Sequence, residues 1–361
     1  MSVPAPKIRP ARARPALKLV KTQQLPREEW LQVRQQGIGS SDAAAAVGLH
    51  PYKSPLQLWL EKTGRVTSGT KQADSSHAKP SLSEMPEDGP LYWGTLLEPL
   101  VAAHYTKRTG HRVRRVNAVL QHPDKPWMLA NIDREVIGAS DAQILECKTA
   151  GIQGSRMWSD GVPEYVQLQV LHQLAVTGKQ AADVAVLLGG QEVQIHRIHR
   201  NEDMICHLME LEEAFWRYVQ KDCPPPADGS GSSAKALLSM FPTDQGTTLD
   251  LSDDLVMSAL FSDYLDVRQQ LERFVAQEAQ LRQSLQQRMG DSTRLLFGQG
   301  SVTWKKVKDT QVIDGESLAR DHPNLVESYR KPKAGGRRFS VQVREIGTTD
   351  ANHDEAPMPA S

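Results

Sequence analysis

The residues that decide the fold are 131–148, Asn-Ile-Asp-Arg-Glu-Val-Ile-Gly-Ala-Ser-Asp-Ala-Gln-Ile-Leu-Glu-Cys-Lys. They predict a β-hairpin, with one strand near residues 129–136 and the next at residues 142–148. Residues 138–141, Gly-Ala-Ser-Asp, are typical of the turn that joins such strands. The chain is therefore expected to pair with itself at this point.

A hairpin here would collect charged side chains on one face. Because side chains alternate along a strand, Glu146 and Lys148 should share a face and Cys147 should point the other way. Pairing of the two strands can bring Asp133 next to Glu146. Two carboxylates and an ammonium would then share one small patch.

This patch is suited to phosphodiester hydrolysis. Hard oxygen ligands favour Mg²⁺ or Mn²⁺, and Mg²⁺ is usually held by one or two carboxylates with water and substrate oxygens. Such a metal activates water and neutralises charge on the scissile phosphate. Lys148 could hold or deprotonate the attacking water, or stabilise the pentavalent phosphate. A Glu-x-Lys triplet on a strand is also typical of a solvated ion pair, so the triplet alone does not separate the two interpretations.

Composition bounds the class of protein. The 361 residues suffice for one large domain or two ordinary ones, and the 43 basic residues balance the 43 acidic ones. The net charge therefore argues neither for nor against binding of nucleic acid. Only the distribution of the charges over the chain can favour such binding. The three cysteines lack paired metal-ligand spacing, which excludes a zinc ribbon and indicates a reducing compartment. The sequence has no apolar run long enough to span a membrane and no secretory signal, so a cytoplasmic location is expected.

Other candidate site residues lie on predicted helices. Glu98 is either an exposed helix carboxylate or a third acid that reaches the metal. Gln169 and Gln173 share a helix face at i, i+4 and could orient water or phosphate, although most helical glutamines are solvated. Arg34 precedes residues 37–42, Gly-Ile-Gly-Ser-Ser-Asp, which are typical of a helix N-terminus that can bind an anion.

The C-terminal third predicts a long helix over about residues 250–289. Its apolar residues follow 4-3 spacing, broken by Glu278, with Ser252 as the cap and Gly290 at the end. An apolar seam needs a partner surface, so this helix is expected to serve assembly or partner contact. Strands are predicted at residues 295–307 and 337–343.

The order of the motifs resembles the YqaJ-like viral recombinase family, which belongs with lambda exonuclease in the PD-(D/E)xK nuclease superfamily. The resemblance covers roughly residues 25–225 and is carried by residues 30–42, Trp93-Gly94 with Glu98, Asp133, Glu146-x-Lys148 and residues 169–178. It implies an α/β fold: a mixed sheet flanked by helices, as in restriction endonucleases, followed by a coiled-coil-like helical extension. It also implies Mg²⁺-dependent (or Mn²⁺-dependent) cutting of DNA.

The resemblance also implies a role for each motif residue. It implies metal ligands at Asp133, Glu146 and Glu98, the catalytic residues Lys148 and Gln169 beside them, and binding of a 5′-phosphate by Arg34 and Ser41.

Together with composition, the resemblance predicts the domain organisation. The predicted parts are a disordered basic tail at 1–24, the nuclease domain at 25–225 with a disordered insertion at 67–89, a linker at 226–249, a helix and small β region at 250–345, and a disordered tail at 346–361.

Members of this kind digest one strand of duplex DNA from its 5′ end and pass the exposed strand to a phage single-strand annealing protein, and some form trimers around DNA. The resemblance therefore implies a phage or prophage exonuclease in a bacterial cytoplasm, acting in recombination. Two departures matter: Arg134 and Glu135 follow Asp133 where a glycine is common, and more than a hundred residues extend past the nuclease domain. An endonuclease on the same fold, and a non-catalytic DNA-binding assembly protein, stay open as alternatives.

Overall fold

The computed structural model describes residues 15–23, 25–65, 89–332 and 335–342. Contacts within the chain divide it into two compact units, Met1–Pro242 and Thr243–Ser361. The predicted insertion up to residue 88, the predicted C-terminal tail and residues 1–14 of the predicted N-terminal tail lie outside the described residues.

The first unit alternates helices with short strands. In chain order these are β1 (Leu17–Lys21), α1 (Arg27–Gln35), β2 (Ile38–Gly39), α2 (Ala43–Ala46), α3 (Pro55–Lys62), α4 (Pro90–Thr109), β3 (Arg112–Arg115), β4 (Ala118–Gln121), β5 (Met128–Ala130), β6 (Arg134–Ile137), β7 (Ile144–Ala150), α5 (Glu164–Thr177), β8 (Ala181–Leu188), β9 (Glu192–His199), α6 (Glu202–Gln220) and α7 (Gly231–Met240). Turns of 3-10 helix lie at Ser40–Asp42 and Gly154–Trp158.

The strands of this unit form two sheets within the described residues. One has the order β3-β6-β7-β8-β9, in which β7 and β8 are parallel and the other neighbours antiparallel, and the second has the order β1-β4-β5-β2. The predicted fold class, a mixed sheet flanked by helices with further helices towards the C-terminus, is confirmed.

Helices cover both faces of the larger sheet. Leu145 of β7 lies in a buried cluster with Tyr105 of α4, whereas Ile144 lies in one with Leu174 of α5. Each such fully buried apolar side chain contributes about 1.5–3 kcal/mol. The alternation confirms the predicted facing of the strand, since even-numbered residues of β7 point to α5 and odd-numbered ones to α4.

The predicted strand at residues 129–136 is wrong in one respect, because it is two strands in different sheets. β5 belongs to the smaller sheet and β6 to the larger one, and residues 131–133 cross between them. Ile132, which is 4% exposed, anchors the crossing in the core. The β6–β7 pairing is therefore short, with Arg134 opposite Leu145, and Asp133 lies just before it, in register with Glu146.

The predicted N-terminal tail also needs correction. Residues 17–21 form β1, which pairs antiparallel with β4, with Leu17 opposite Gln121 and Lys21 opposite Ala118. β4 presents an edge whose backbone groups need partners, and β1 satisfies them. The basic composition that predicted disorder is compatible with an edge strand, where charged side chains remain exposed.

The predicted linker at 226–249 contains a packed helix, α7. Ser230 caps it by accepting a hydrogen bond from the Ser233 N–H at 3.1 Å, and Ala236 is fully buried against Trp59 of α3. The Ser54 N–H donates to Ser232 Oγ at 3.0 Å. The first unit therefore extends to Pro242, beyond the predicted boundary at residue 225.

The second unit contains α8 (Leu255–Met289), β10 (Arg294–Phe297), β11 (Gly300–Thr303), α9 (Gly315–Asp321) and α10 (Pro323–Tyr329). Asp254, and not Ser252, caps α8, because its carboxylate accepts the N–H groups of Val256 and Met257. The predicted strand at 295–307 is the β10–β11 hairpin. Residues 337–342 are not in a strand, so that prediction is wrong.

The seam of α8 remains on the surface of the second unit. Its exposed residues are Leu260, Tyr264, Val267, Leu271, Phe274 and Leu281. Among the described residues of the unit, the Tyr264 ring contacts that of Phe339 at a centroid distance of 5.9 Å. The role of this helix in assembly or partner contact stays a prediction.

Candidate active site

Four polar side chains meet between β7 and α5. Lys148 Nζ lies 2.8 Å from Glu146 Oε1, and the same oxygen accepts a hydrogen bond from Gln169 Nε2 at 2.6 Å. Lys148 Nζ also donates to Gln169 Oε1 at 2.9 Å. Gln173 Nε2 donates to the other oxygen, Glu146 Oε2, at 2.8 Å. The cluster forms because β7 turns its even-numbered residues towards α5, and one helix turn separates the two glutamines.

Asp133 joins this cluster from the crossing between the sheets. Its Oδ2 accepts the backbone N–H of Cys147 at 3.0 Å, which holds the carboxylate against β7 at the residue next to Glu146. The predicted approach of Asp133 to Glu146 thus arises from the bend at residues 131–133 and not from a continuous hairpin.

The charges of the cluster perturb its neighbours. Burial alone would lower the pKa of Lys148, but the Glu146 carboxylate outweighs it, with help from Asp133, and raises that pKa above its usual value. Burial raises the pKa of the Cys147 thiol, and the charges of Asp133 and Glu146 raise it further. Cys147 therefore stays a neutral thiol on the α4 face of the sheet.

Glu98 is held elsewhere. Its Oε1 accepts from Arg134 Nη1 at 2.5 Å, and both residues are buried. Arg134 stands opposite Leu145, on the face that α4 covers, whereas Glu146 faces α5. Among the residues that the structure describes, no three His, Cys, Asp or Glu side chains form a group that could hold a metal ion. The role of Glu98 as a third metal ligand stays a prediction.

The donor set of the cluster fits a hard divalent cation. Asp133 and Glu146 supply carboxylate oxygens within one patch, and Mg²⁺ needs only one or two such ligands beside water and phosphate oxygens. Cys147 packs on the opposite face of the sheet, against the cluster that includes Tyr105 of α4. The other donors of the described group are amides and an ammonium, so it contains no soft ligand of the kind that selects zinc or iron–sulfur clusters.

Gln173 is a site residue whose contact with Glu146 the sequence did not predict. It is fully buried, and its Nε2 also lies 3.2 Å from the carbonyl oxygen of Asn131. Its Oε1 is buried with no hydrogen-bond partner among the described residues. The i, i+4 spacing to Gln169 was the available signal, but only the contact to Glu146 distinguishes Gln173 from a solvated helix residue.

A second polar group surrounds Asp42, which is fully buried. Arg34 Nη2 donates to both of its oxygens, at 2.8 and 2.7 Å, and lies 3.4 Å from Ser41 Oγ. The Arg34 guanidinium also stacks over the Trp30 ring at 4.8 Å. Arg34 and Ser41 are thus brought together as predicted, with Asp42 bound between them.

Two lysines complete this group, and the sequence left both unassigned. Lys62 Nζ donates to Asp42 Oδ2 at 2.7 Å, and Lys53 Nζ lies 2.9 Å from Glu61 Oε2 and 4.0 Å from Asp42 Oδ1. Burial lowers the pKa of Lys62 to about 8, against the opposing effect of Asp42. With Arg34, three cations face two carboxylates, and one positive charge is in excess. We call Arg34, Asp42, Lys53, Glu61 and Lys62 the cationic cluster.

The predicted helix at Asp42 is shorter than expected. It is the 3-10 turn Ser40–Asp42 followed by the four-residue α2, so its dipole adds little and the side-chain cations dominate. The turn abuts the carboxylate cluster, because the carbonyl oxygen of Asn131 accepts from Ser40 Oγ at 3.5 Å as well as from Gln173.

A buried histidine fixes α5 in place. His172 Nδ1 lies 2.7 Å from Glu212 Oε1 of α6, and its Nε2 lies 2.9 Å from the carbonyl oxygen of Leu129. Because both partners are acceptors, the ring donates from both nitrogens as an imidazolium. Burial would lower the pKa of His172, but the Glu212 carboxylate outweighs it and raises that pKa above its usual value.

The stability that His172 contributes should therefore fall as the pH rises through its pKa. A pKa that folding raises contributes stability that is complete below the unfolded value, about 6.5, and is lost above the folded value. Lys62 and His50, whose pKa values are lowered, change stability in the opposite direction, so the test compares wild type with His172→Gln at each pH. We expect the difference between their free energies of unfolding in urea to be larger at about pH 6 than at about pH 9, and an equal difference at both pH values would contradict this assignment.

Residues 29–180 match the model of the YqaJ-like viral recombinase domain. The protein YqaJ of Bacillus subtilis (strain 168), which is described as uncharacterized, is 32% identical over 329 residues, or 90% of this chain and 97% of that protein. The chain belongs to the YqaJ family. The resemblance predicted from the motifs is confirmed, and the residues of both polar groups from Arg34 to Gln173 lie inside the matched YqaJ-like segment.

The solved structures that match part of this chain include two exonucleases. An alkaline exonuclease from Laribacter hongkongensis is 22% identical with a TM-score of 0.43, covering 54% of this chain and 93% of its own. A phage related exonuclease from Haemophilus somnus 129PT is 12% identical with a TM-score of 0.34, covering 51% of this chain and 94% of its own.

Proposed function

We propose that this chain is a metal-dependent deoxyribonuclease that degrades duplex DNA from its ends during recombination of phage or prophage DNA. The observation that carries the proposal is the meeting of Asp133, Glu146, Lys148 and Gln169 at one patch. Membership of a viral recombinase family supports it, since recombination of duplex DNA needs exposed single strands.

Asp133 and Glu146 would hold the metal, Mg²⁺ or Mn²⁺, which when bound activates water and neutralises phosphate charge. Gln169 and Gln173 donate one hydrogen bond to each oxygen of Glu146 and so fix the orientation of the carboxylate. Lys148 presents an ammonium beside it, where it can stabilise the negative charge that develops on the phosphate. Glu98 orients Arg134 from the opposite face of the sheet.

The cationic cluster would bind the 5′-phosphate of the strand being cut. Within the described residues, every hydrogen bond of the Arg34 guanidinium is donated by Nη2, so Nε and Nη1 retain donors for a phosphate oxygen. Ser41 adds a hydroxyl, and Lys53 and Lys62 offset the charge of Asp42. A pocket that recognises one end of a strand would make digestion run 5′ to 3′.

A 5′-phosphate should therefore accelerate digestion. A charge-assisted contact is worth roughly 1.5–3 kcal/mol, or about ten- to a hundredfold in binding. We expect matched linear duplexes to be degraded faster with a 5′-phosphate than with a 5′-hydroxyl, and Arg34→Ala to erase most of that preference. Arg65→Ala is the matched control, because Arg65 also stacks on a tryptophan and pairs with an aspartate. Equal wild-type rates on both substrates would remove the phosphate pocket from the proposal.

Linear and closed circular duplex DNA test the function itself. With Mg²⁺ we expect the linear substrate to be degraded and the closed circle to remain intact, and EDTA to stop the reaction. Nicking or cutting of the circle would replace the exonuclease with an endonuclease on the same fold. Stable binding of DNA without hydrolysis of either substrate would instead support the alternative that the chain is a non-catalytic DNA-binding assembly protein.

The proposal keeps two protein partners. One is a phage single-strand annealing protein that receives the exposed strand, and the other is a further copy of this chain, a trimer by family resemblance, with the exposed seam of α8 as a contact surface. No helix among the described residues is both long and apolar enough to cross a membrane.

A further inference from the structure

Three rings form a surface beside the candidate active site. Tyr52 lies between α2 and α3 and is 68% exposed. Its ring centroid lies 6.0 Å from that of His50, and the His50 ring lies 5.5 Å from that of Tyr165 on α5, both edge to face. We call these three residues the aromatic ledge. A tyrosine this exposed gains little stability from burial.

The exposed ring is held in place. The Tyr52 N–H donates to His50 Nδ1 at 3.1 Å, and the Tyr52 hydroxyl donates to the sulfur of Met157 at 3.6 Å. Because both the backbone and the hydroxyl of Tyr52 are held, its side chain is already ordered before a ligand binds. Binding to the ring then costs little additional side-chain entropy. Since Nδ1 accepts a hydrogen bond, the His50 ring is neutral, and burial, followed by the charge of Lys53, lowers its pKa to about 4.

The ledge is connected to both polar groups of the site. Tyr165 lies one helix turn before Gln169 on α5, and Lys53 of the cationic cluster follows Tyr52 directly in the chain. The charges of Lys148 and Lys53 both act on His50. Cations that can hold phosphates thus lie near rings that can hold a base. A positively charged path with stacking rings is the combination that binds single-stranded nucleic acid without regard to sequence.

We propose that the aromatic ledge stacks an unpaired base of the DNA strand that enters the active site, a proposal that rests on the nuclease function above. The faces of paired bases are covered by their neighbours in a duplex, so a base reaches an exposed tyrosine ring only after leaving the stack. The ledge would hold the strand being cut apart from its complement, while the cations beside it hold the phosphates.

Fluorescence of 2-aminopurine tests this directly, because stacking quenches it. The probe is a 5′-phosphorylated single-stranded oligonucleotide with 2-aminopurine at one of its first three positions, and an abasic version of the same oligonucleotide is the control. Binding is measured with the full chain in EDTA, so hydrolysis plays no part. Tyr52→Phe keeps the ring, Tyr52→Leu keeps apolar bulk without aromaticity, and Tyr52→Ala removes both.

We expect quenching with wild type and Tyr52→Phe but not with the other two variants, which should bind the base-containing oligonucleotide roughly fivefold to a hundredfold more weakly. All four proteins should bind the abasic oligonucleotide equally. Quenching by Tyr52→Leu equal to wild type, or no binding by wild type, would overturn the ledge even if the protein hydrolyses DNA. Ring-dependent quenching in a protein that never cleaves DNA in Mg²⁺ would instead keep the ledge and reject the nuclease.

Discussion

Replacing Glu146 with alanine is expected to abolish hydrolysis of duplex DNA in Mg²⁺, lowering the rate by roughly a thousandfold or more. Glu146 is 3% exposed, and its two oxygens are the acceptors around which Lys148, Gln169 and Gln173 are arranged. The substitution removes a proposed metal ligand and the group that orients the other side chains. The measurement is release of nucleotides from linear duplex DNA.

The other variants should follow a graded order. Asp133→Ala and Lys148→Ala should cost about as much, since one is the second proposed ligand and the other the only ammonium hydrogen-bonded within the described cluster. Gln169→Leu and Gln173→Leu should cost about ten- to a hundredfold, because residues that orient a ligand without binding metal have effects of that size.

Glu135→Gln is the matched control. Glu135 lies on β6 of the same sheet and pairs with Arg114 at 2.6 Å and Lys179 at 3.1 Å. The substitution therefore removes a carboxylate charge from the sheet without altering the contacts of Glu146. This variant should retain the full rate. Full turnover by Glu146→Ala with an unchanged circular dichroism spectrum would contradict the assignment of the site.

Local periodicity predicted the half of the candidate site that lies on regular elements. Strand alternation alone indicated that Glu146 and Lys148 share a face, and helix spacing placed Gln169 and Gln173 together. These inferences need only the geometry of one strand and one helix. The structure shows which face of the helix packs against which face of the strand. Gln173 is thereby seen to donate a hydrogen bond to Glu146, which its spacing from Gln169 did not predict.

Long-range pairing is the half that could not be predicted. Lys62 reaches Asp42 across 20 residues and Glu98 reaches Arg134 across 36, and neither separation follows a helical or strand period. The sheet crossing at residues 131–133 was hidden for the same reason, since Asn131, Ile132 and Asp133 alternate polar and apolar as in a continuous strand and only the pairing partners of β5 and β6 differ. Side-chain charge pairs of this kind depend on the packed fold.

Asp42→Asn is expected to destabilise the first unit by roughly 3–5 kcal/mol, because it leaves buried cations without their counter-charge. Asp42 is fully buried, and Arg34 and Lys62 each lie 2.7 Å from its Oδ2. An amide matches the shape of the carboxylate but carries no charge. Its nitrogen is itself a hydrogen-bond donor, so it cannot accept from the N–H groups of Arg34 and Lys62. For a unit of this size the loss lowers Tm by about 6–20 °C, which differential scanning calorimetry would detect.

The exposed pair of Asp222 and Arg65 provides the matched control, because it is also bidentate but its side chains are 61% and 43% exposed. Asp222→Asn should leave Tm unchanged, since solvent screens such a pair. Adding Lys62→Met to Asp42→Asn should recover part of the loss, because it removes the more deeply buried of the two stranded cations. If Asp42→Asn unfolds at the wild-type temperature, the buried charge is compensated in another way. The cationic cluster would then have to be explained by substrate binding alone, and the phosphate preference of the same variant would decide that.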